Sequence, residues 1–280
     1  MKIGVRAHDF GRQELKSLAK SIKDSGFDCV QLAPTKAIEG INNFDDINER
    51  HINDIAGEFY KNNLEISVLG CYIEPSISDR EKRLANVDIF RQNLSYAKLL
   101  GVGIVGTETT HLDINAPPED REKAYLLLKD SVLRMVETAE KEGVCAGIEP
   151  VAEHTLNTPL LTRRLLDEVN SPKLKIIFDP VNLLLPATAE SQDEIFTTFF
   201  ELLGSEIAAV HIKDIVIENG EKTWRNIGRG IVNYKLIFNW LQKNKPNISL
   251  LREGVVKDSF QQDITAMKFF RDNSRIPSSQ

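Results

Sequence analysis

Four side chains in this sequence could do chemistry together. They are Glu149 in AGIEP, Asp179 in KIIFDP, His211 in AVHIKD and Glu253 in SLLREG. Each is the polar residue met at the end of a short apolar run, and they follow one another at intervals of 30, 32 and 42 residues. Three carboxylates and an imidazole cannot share a small space without compensation, because like charges a few ångströms apart disfavour mutual ionisation. A divalent cation supplies that compensation. An O,O,O,N donor set suits Mn²⁺, Mg²⁺, Co²⁺ or Zn²⁺ and disfavours soft Cu(I). Positions left open on such an ion would take water or the vicinal oxygens of a substrate. A lone acidic residue after a strand is usually a helix cap or a solvated loop charge. Four such positions in succession, each beside further turn or polar residues, are poorly explained that way.

The intervals match the length of one strand–helix unit, and the whole chain has that rhythm. Apolar runs predict strands over 2–6, 27–33, 65–72, 102–108, 144–150, 173–179, 207–214 and 248–254. Between them, helical spacing of apolar residues predicts helices over 12–25, 46–62, 80–100, 118–142, 159–169, 190–203, 233–243 and 258–273. Gly26, Gly101, Gly143 and Gly204 each follow a helix, and Pro159 sits in a first turn. Continuous apolar strands suit a parallel sheet covered on both faces. Eight units in 280 residues fit a closed (β/α)8 TIM barrel better than an open doubly wound sheet. Catalytic groups in such barrels sit at the C-terminal ends of the strands, so the four residues should face one bowl. No linker divides the chain. The expectation is a single domain over 1–273 and a polar, flexible tail over 274–280.

Composition narrows the partners. The net charge of −6 gives no general excess of Lys and Arg, so neither nucleic acid nor an anionic membrane is expected as a partner. The opening residues MKIGVRAHDF lack the apolar run of a signal peptide, and no stretch approaches a membrane span. Cys29, Cys71 and Cys145 are far apart in predicted strands and are read as buried free thiols, which points to a cytoplasmic setting.

The segments IEP, FDPVN, HIKD and REG resemble the sugar-phosphate isomerase/epimerase superfamily of xylose-isomerase-like TIM barrels, and NIGRGIVNY over 226–234 looks like that family's lead into its seventh helix. The resemblance spans about residues 1–272. It implies one divalent metal ion held by the positions of Glu149, Asp179, His211 and Glu253. It also implies that Glu149 and Glu253 act as acid and base on a small carbohydrate. The expected reaction is proton abstraction α to a carbonyl through a metal-stabilised enediolate, giving a sugar or sugar-phosphate isomerase or epimerase. An inosose-type dehydratase uses the same first step, and an apurinic-site endonuclease or a non-catalytic sugar binder is the remoter alternative. Such barrels often pair, so a homo-oligomer is possible.

Two positions depart from the family. Asn182 stands where many relatives have His, which makes it a poor ligand for a second metal. Gln31 stands where the second strand often ends in Glu. Around the four central residues, His154 (with Asn157), Asn182, Lys213, His8 (with Arg6 on the same strand face) and Arg225 (beside Trp224) are candidate substrate contacts. Asp214 is expected to orient a neighbour. Glu108 and His111 close the fourth strand but lack partners for a second metal. Gly228-Arg229-Gly230 could cradle a phosphate, although a tight turn is the simpler expectation.

Overall fold

Continuous apolar strands bury both faces only when something covers each, and here helices cover one face and the strands' own interior side chains fill the other. A computed structural model describes residues 1–254 and 259–274. Eight parallel strands close into a barrel: β1 (Lys2–Arg6), β2 (Cys29–Leu32), β3 (Glu65–Gly70), β4 (Ile104–Glu108), β5 (Cys145–Glu149), β6 (Leu174–Phe178), β7 (Ile207–Ile212) and, after an inserted hairpin, β10 (Ser249–Arg252). β10 lies between β7 and β1 and completes the ring. The predicted (β/α)8 TIM barrel is therefore the observed fold.

The surrounding helices are α1 (Leu15–Asp24), a short α2 (Pro34–Ala37), α3 (Glu49–Lys61), α4 (Arg80–Leu100), α5 (Pro118–Glu142), α6 (Pro159–Val169), α7 (Gln192–Leu203), α8 (Tyr234–Asn244) and α9 (Phe260–Asn273). Their caps are local. Asp79, Thr158 and Asn233 each accept a backbone N–H of the first turn. Gly101 and Gly143 end α4 and α5 in the left-handed conformation, as expected. Gly204 does not. It is right-handed and leaves room for Trp240, whose ring an added Cβ would meet at 2.4 Å.

Strand alternation sorts the side chains. Cys29, Val68, Ile104, Ile177, Ala209 and Leu251 form a small buried cluster separate from the main core. One step further along the same strand faces come Gln31, Gly70, Gly106, Asp179, His211 and Glu253. Gly147 and Glu149 stand in the same relation on β5. The main core lies on the other strand face, where for example Phe178 packs on Phe196, Phe199 and Phe200. The residues that fill the barrel and those that line its mouth thus belong to one periodic pattern.

One element differs from expectation. The seventh apolar run does not continue as a single strand over 207–214. β7 ends at Ile212, and Asp214 opens an antiparallel hairpin of β8 (Asp214–Glu218) and β9 (Glu221–Arg225), a stretch expected to be loop. Asn219 and Gly220 turn it, with φ of 53° and 80°. An Asn-Gly pair adopts these values at low cost, so the turn was written in ENGE. The cysteines are free, with Cys29 and Cys71 buried and Cys145 half-buried. The expected tail beyond Ser274, and Asp258 at the expected start of the last helix, lie outside the described residues.

Candidate metal centre and active site

Glu149 ends β5, Asp179 follows β6, His211 is the penultimate residue of β7, and Glu253 follows β10. Adjacent strands thus deliver all four to the mouth of the barrel. His211 Nδ1 lies 3.1 Å from Glu149 Oε2, 3.4 Å from Glu253 Oε2 and 3.7 Å from Asp179 Oδ2. Ligand atoms of Glu149, Asp179 and His211 all fall within 4.8 Å of one another, and all three residues are buried. Glu253 is the looser member.

The other ends of these groups are held. Asp179 Oδ1 accepts the backbone N–H of Val181 and of Asn182. Glu149 Oε1 accepts from Asn182 Nδ2 at 2.6 Å. Glu253 Oε1 lies 2.9 Å from both Arg6 Nη1 and Lys213 Nζ. His211 Nε2 pairs with Gln31 Oε1 at 2.8 Å, while Gln31 Nε2 donates to the Tyr72 hydroxyl at 2.9 Å. An amide oxygen accepts only, so the imidazole carries a proton on Nε2 and turns Nδ1 to the carboxylates, as a lone pair whenever the ring is neutral.

That arrangement tests the fit of a metal. Among the described residues, buried His211 Nδ1 has no hydrogen-bond partner, and buried Asp179 Oδ2 meets only the Lys213 ammonium. A ring nitrogen lone pair facing three carboxylate oxygens is stable only with positive charge between them. The donor set, the convergence and the held second atoms all suit a divalent cation. Without one, the ring must carry the charge. Burial opposes that charge, but Glu149, Asp179 and Glu253 outweigh it and hold His211 up at about 10.

A fixed cation also belongs to this site. Lys213 is buried, with Nζ 3.0 Å from Asp179 Oδ2, 2.9 Å from Glu253 Oε1 and 2.8 Å from Asn182 Oδ1. Burial works against its charge and Asp179 and Glu253 more than restore it. Asn182, which replaces the family's common His, donates to Glu149 and accepts from Lys213. An amide does both at once, so the substitution links the two groups.

The remaining candidates spread around the rim. His8 stands in the turn after β1, edge-on to Tyr72 with ring centres 6.0 Å apart. His154 Nδ1 is 4.0 Å from Glu108 Oε2, and His154 bridges His111 by backbone pairing. Burial, then Glu149 and Glu253, push the Glu108 carboxyl up to about 7. Asn157 lies apart, in a groove with Leu183 and Ile195. Trp224 lies on β9 with Lys213 Nζ 5.4 Å from its ring centre. Arg225 is turned to Glu218 across the hairpin. Asp214 has a positioning task. Its carboxylate accepts backbone N–H groups from Ile215, Gly228, Gly230 and Val232. The N–H groups of Gly228 and Gly230 are therefore spent on Asp214, not on a phosphate. Arg6 as the partner of Glu253, together with Tyr72 and Lys36, was not legible as a set, since only tertiary structure brings these segments together.

The chain resembles known structures over nearly its full length. A D-tagatose 3-epimerase-like protein is 18% identical, with 97% of each chain covered and a TM-score of 0.78. The 3-keto-D-glucoside 4-epimerase from E. coli is 17% identical, covering 97% of this chain and 99% of that one, at 0.76. The IOLI protein, solved with a zinc atom, is 15% identical over 98% of each chain, at 0.72. No curated protein matches the sequence. The family described as xylose isomerase-like TIM barrel matches residues 19–268, and the chain belongs to that family.

Proposed function

We propose that this protein is a divalent-metal-dependent isomerase or epimerase of a small carbohydrate, working by proton abstraction α to a carbonyl. The observation that carries the reading is the convergence of Glu149, Asp179 and His211 on one buried point, with Glu253 beside them. These four residues are the proposed ligands, and Mn²⁺, Mg²⁺, Co²⁺ and Zn²⁺ all suit them. A cation held there supplies positive charge against the enediolate that forms when the proton leaves.

Glu149 is the proposed base. Asn182 holds its Oε1, while Oε2, 3.1 Å from His211 Nδ1, stands at the point where cation and substrate would meet. Glu253 is the second acid/base group, steadied through Oε1 by Arg6 and Lys213. Return of the proton to the opposite face inverts a centre, and return to the neighbouring carbon moves the carbonyl. Lys213 favours the ionised forms of Asp179 and Glu253, and Trp224 covers it from the hairpin.

The test is proton exchange. The Mn²⁺-loaded protein is incubated in D₂O with a panel of ketoses, their phosphates and carboxylate derivatives, and inososes, and deuterium uptake at carbon is followed by NMR. Uptake is expected with at least one member, falling on the order of a thousandfold in Glu149→Gln. No uptake across the panel would overturn the reading. Growth of an absorbing enone or dione would make the protein a dehydratase instead.

A further inference from the structure

The β1–β3 side of the bowl holds donors that the reaction outlined above does not use. Lys36, which follows β2 in α2, lies over the ring of Tyr72 with Nζ 3.6 Å from its centre. Among the described residues no carboxylate stands within ion-pair distance of it. Glu108 and Glu253 act on it only at longer range, and Arg6 repels it. His8 packs edge-on to the same Tyr72 ring, and its Nδ1 is buried without a hydrogen-bond partner among the described residues. The Tyr72 hydroxyl accepts from Gln31, which leaves its own proton to donate. Burial first, then Arg6 and Lys36, depress His8 to about 3, so a neutral ring sits in a positive field.

Lys36 is exposed and its ammonium is solvated, whereas the buried His8 Nδ1 beside it has no partner among the described residues and is costly to leave so. Glu253 does not relieve it, because the Glu253 Oε1 is already shared between Arg6 and Lys213. Gln31 joins Tyr72 to His211, so two residues link this group to the proposed metal position.

We propose that Lys36, His8 and Tyr72 form a subsite for an anionic group, a carboxylate or a phosphate, carried by the substrate on a carbon away from its carbonyl. The subsite deepens the isomerase or epimerase reading and rests on it for the position of the carbonyl. The substrate class is thus an acidic sugar derivative rather than a neutral ketose. Lys36 supplies the charge, while His8 and the Tyr72 hydroxyl fix the direction of the oxygens.

Binding measured without turnover tests this separately from the reaction. Calorimetric titrations of the Mn²⁺-loaded protein compare a ketopentose, its 5-phosphate and the keto acid with a carboxylate at C5. Wild type should bind at least one of the two anions about tenfold more tightly than the neutral sugar. Lys36→Met should abolish that preference while changing the affinity for the neutral sugar less than about twofold, and Lys36→Arg should keep most of it. Whichever anion shows the Lys36-dependent preference names the group. Equal binding of neutral and charged ligands, or a preference that survives Lys36→Met, would overturn the proposal. A Lys36-dependent preference with no deuterium uptake would leave the subsite standing and remove the reaction.

Discussion

A single hydrogen bond decides how His211 presents itself. Gln31 takes the Nε2 proton, Tyr72 holds the Gln31 amide in the right sense, and Nδ1 is thereby aimed at Glu149, Asp179 and Glu253. Replacing Gln31 with Leu leaves a buried N–H unpaired and lets the ring choose either tautomer. We expect Gln31→Leu to weaken Mn²⁺ binding by roughly 10- to 100-fold, read by EPR titration, with the fold intact by circular dichroism. Unchanged affinity would show that Gln31 does not set the ring. The four central residues were legible as polar endings of apolar runs. Gln31 was visible only as a departure, because its partner lies 180 residues away.

At the scale of elements, the hairpin β8–β9 and the loop that follows are tied to the barrel by one carboxylate. Asp214 gathers four backbone N–H groups, and a Cβ on Gly230 would meet Asp214 Oδ1 at 2.2 Å and Ile215 O at 2.2 Å. The second of these is backbone and cannot swing aside. Gly230→Ala should therefore displace the hairpin and with it Trp224, moving the Trp emission in a Trp240→Phe background and raising KM more than it lowers kcat. An unmoved spectrum would count against the clamp. Between α5 and α6, Glu168 is held by Lys129, Arg164 and Tyr125, which lower its carboxyl to about 2. A folded-state value below the ordinary one stabilises above about 4.5, and the contribution fades as pH falls toward 2. The difference in urea midpoint between wild type and Glu168→Gln should be largest near pH 6 and narrow below about pH 4.5. It should also be small, since the pair is solvent-screened.

For the whole molecule, the barrel interior is full, and its glycines are part of the filling. A Cβ on Gly4 would meet Cys29 Sγ at 2.5 Å and Cys29 O at 2.6 Å, so the neighbouring strand would have to move. Gly4→Ala should cost about 1–3 kcal/mol in urea unfolding, the usual penalty of overpacking. The proposed metal acts at the same scale, because it binds only the closed ring of strands. At 100 times its dissociation constant a cation should add about 2.7 kcal/mol. For a chain of this size that raises Tm by roughly 4–6 °C, reversed by EDTA. A Tm indifferent to both would argue against a shared metal site.

Periodicity along the chain determined the eight strand–helix units and the placing of Glu149, Asp179, His211 and Glu253 at strand ends, because alternation and helical spacing are local properties of sequence. It also contained, unread, the Asn219-Gly220 turn of the hairpin. Tertiary structure alone decided which groups meet. Arg6 and Lys213 reach Glu253, Gln31 reaches His211, and Lys36 reaches Tyr72 only once the ring closes and brings β1, β2 and β3 beside and across from β7 and β10. Hydrogen bonds and ion pairs act over a few ångströms, and sequence separation says nothing about such distances until the barrel is closed.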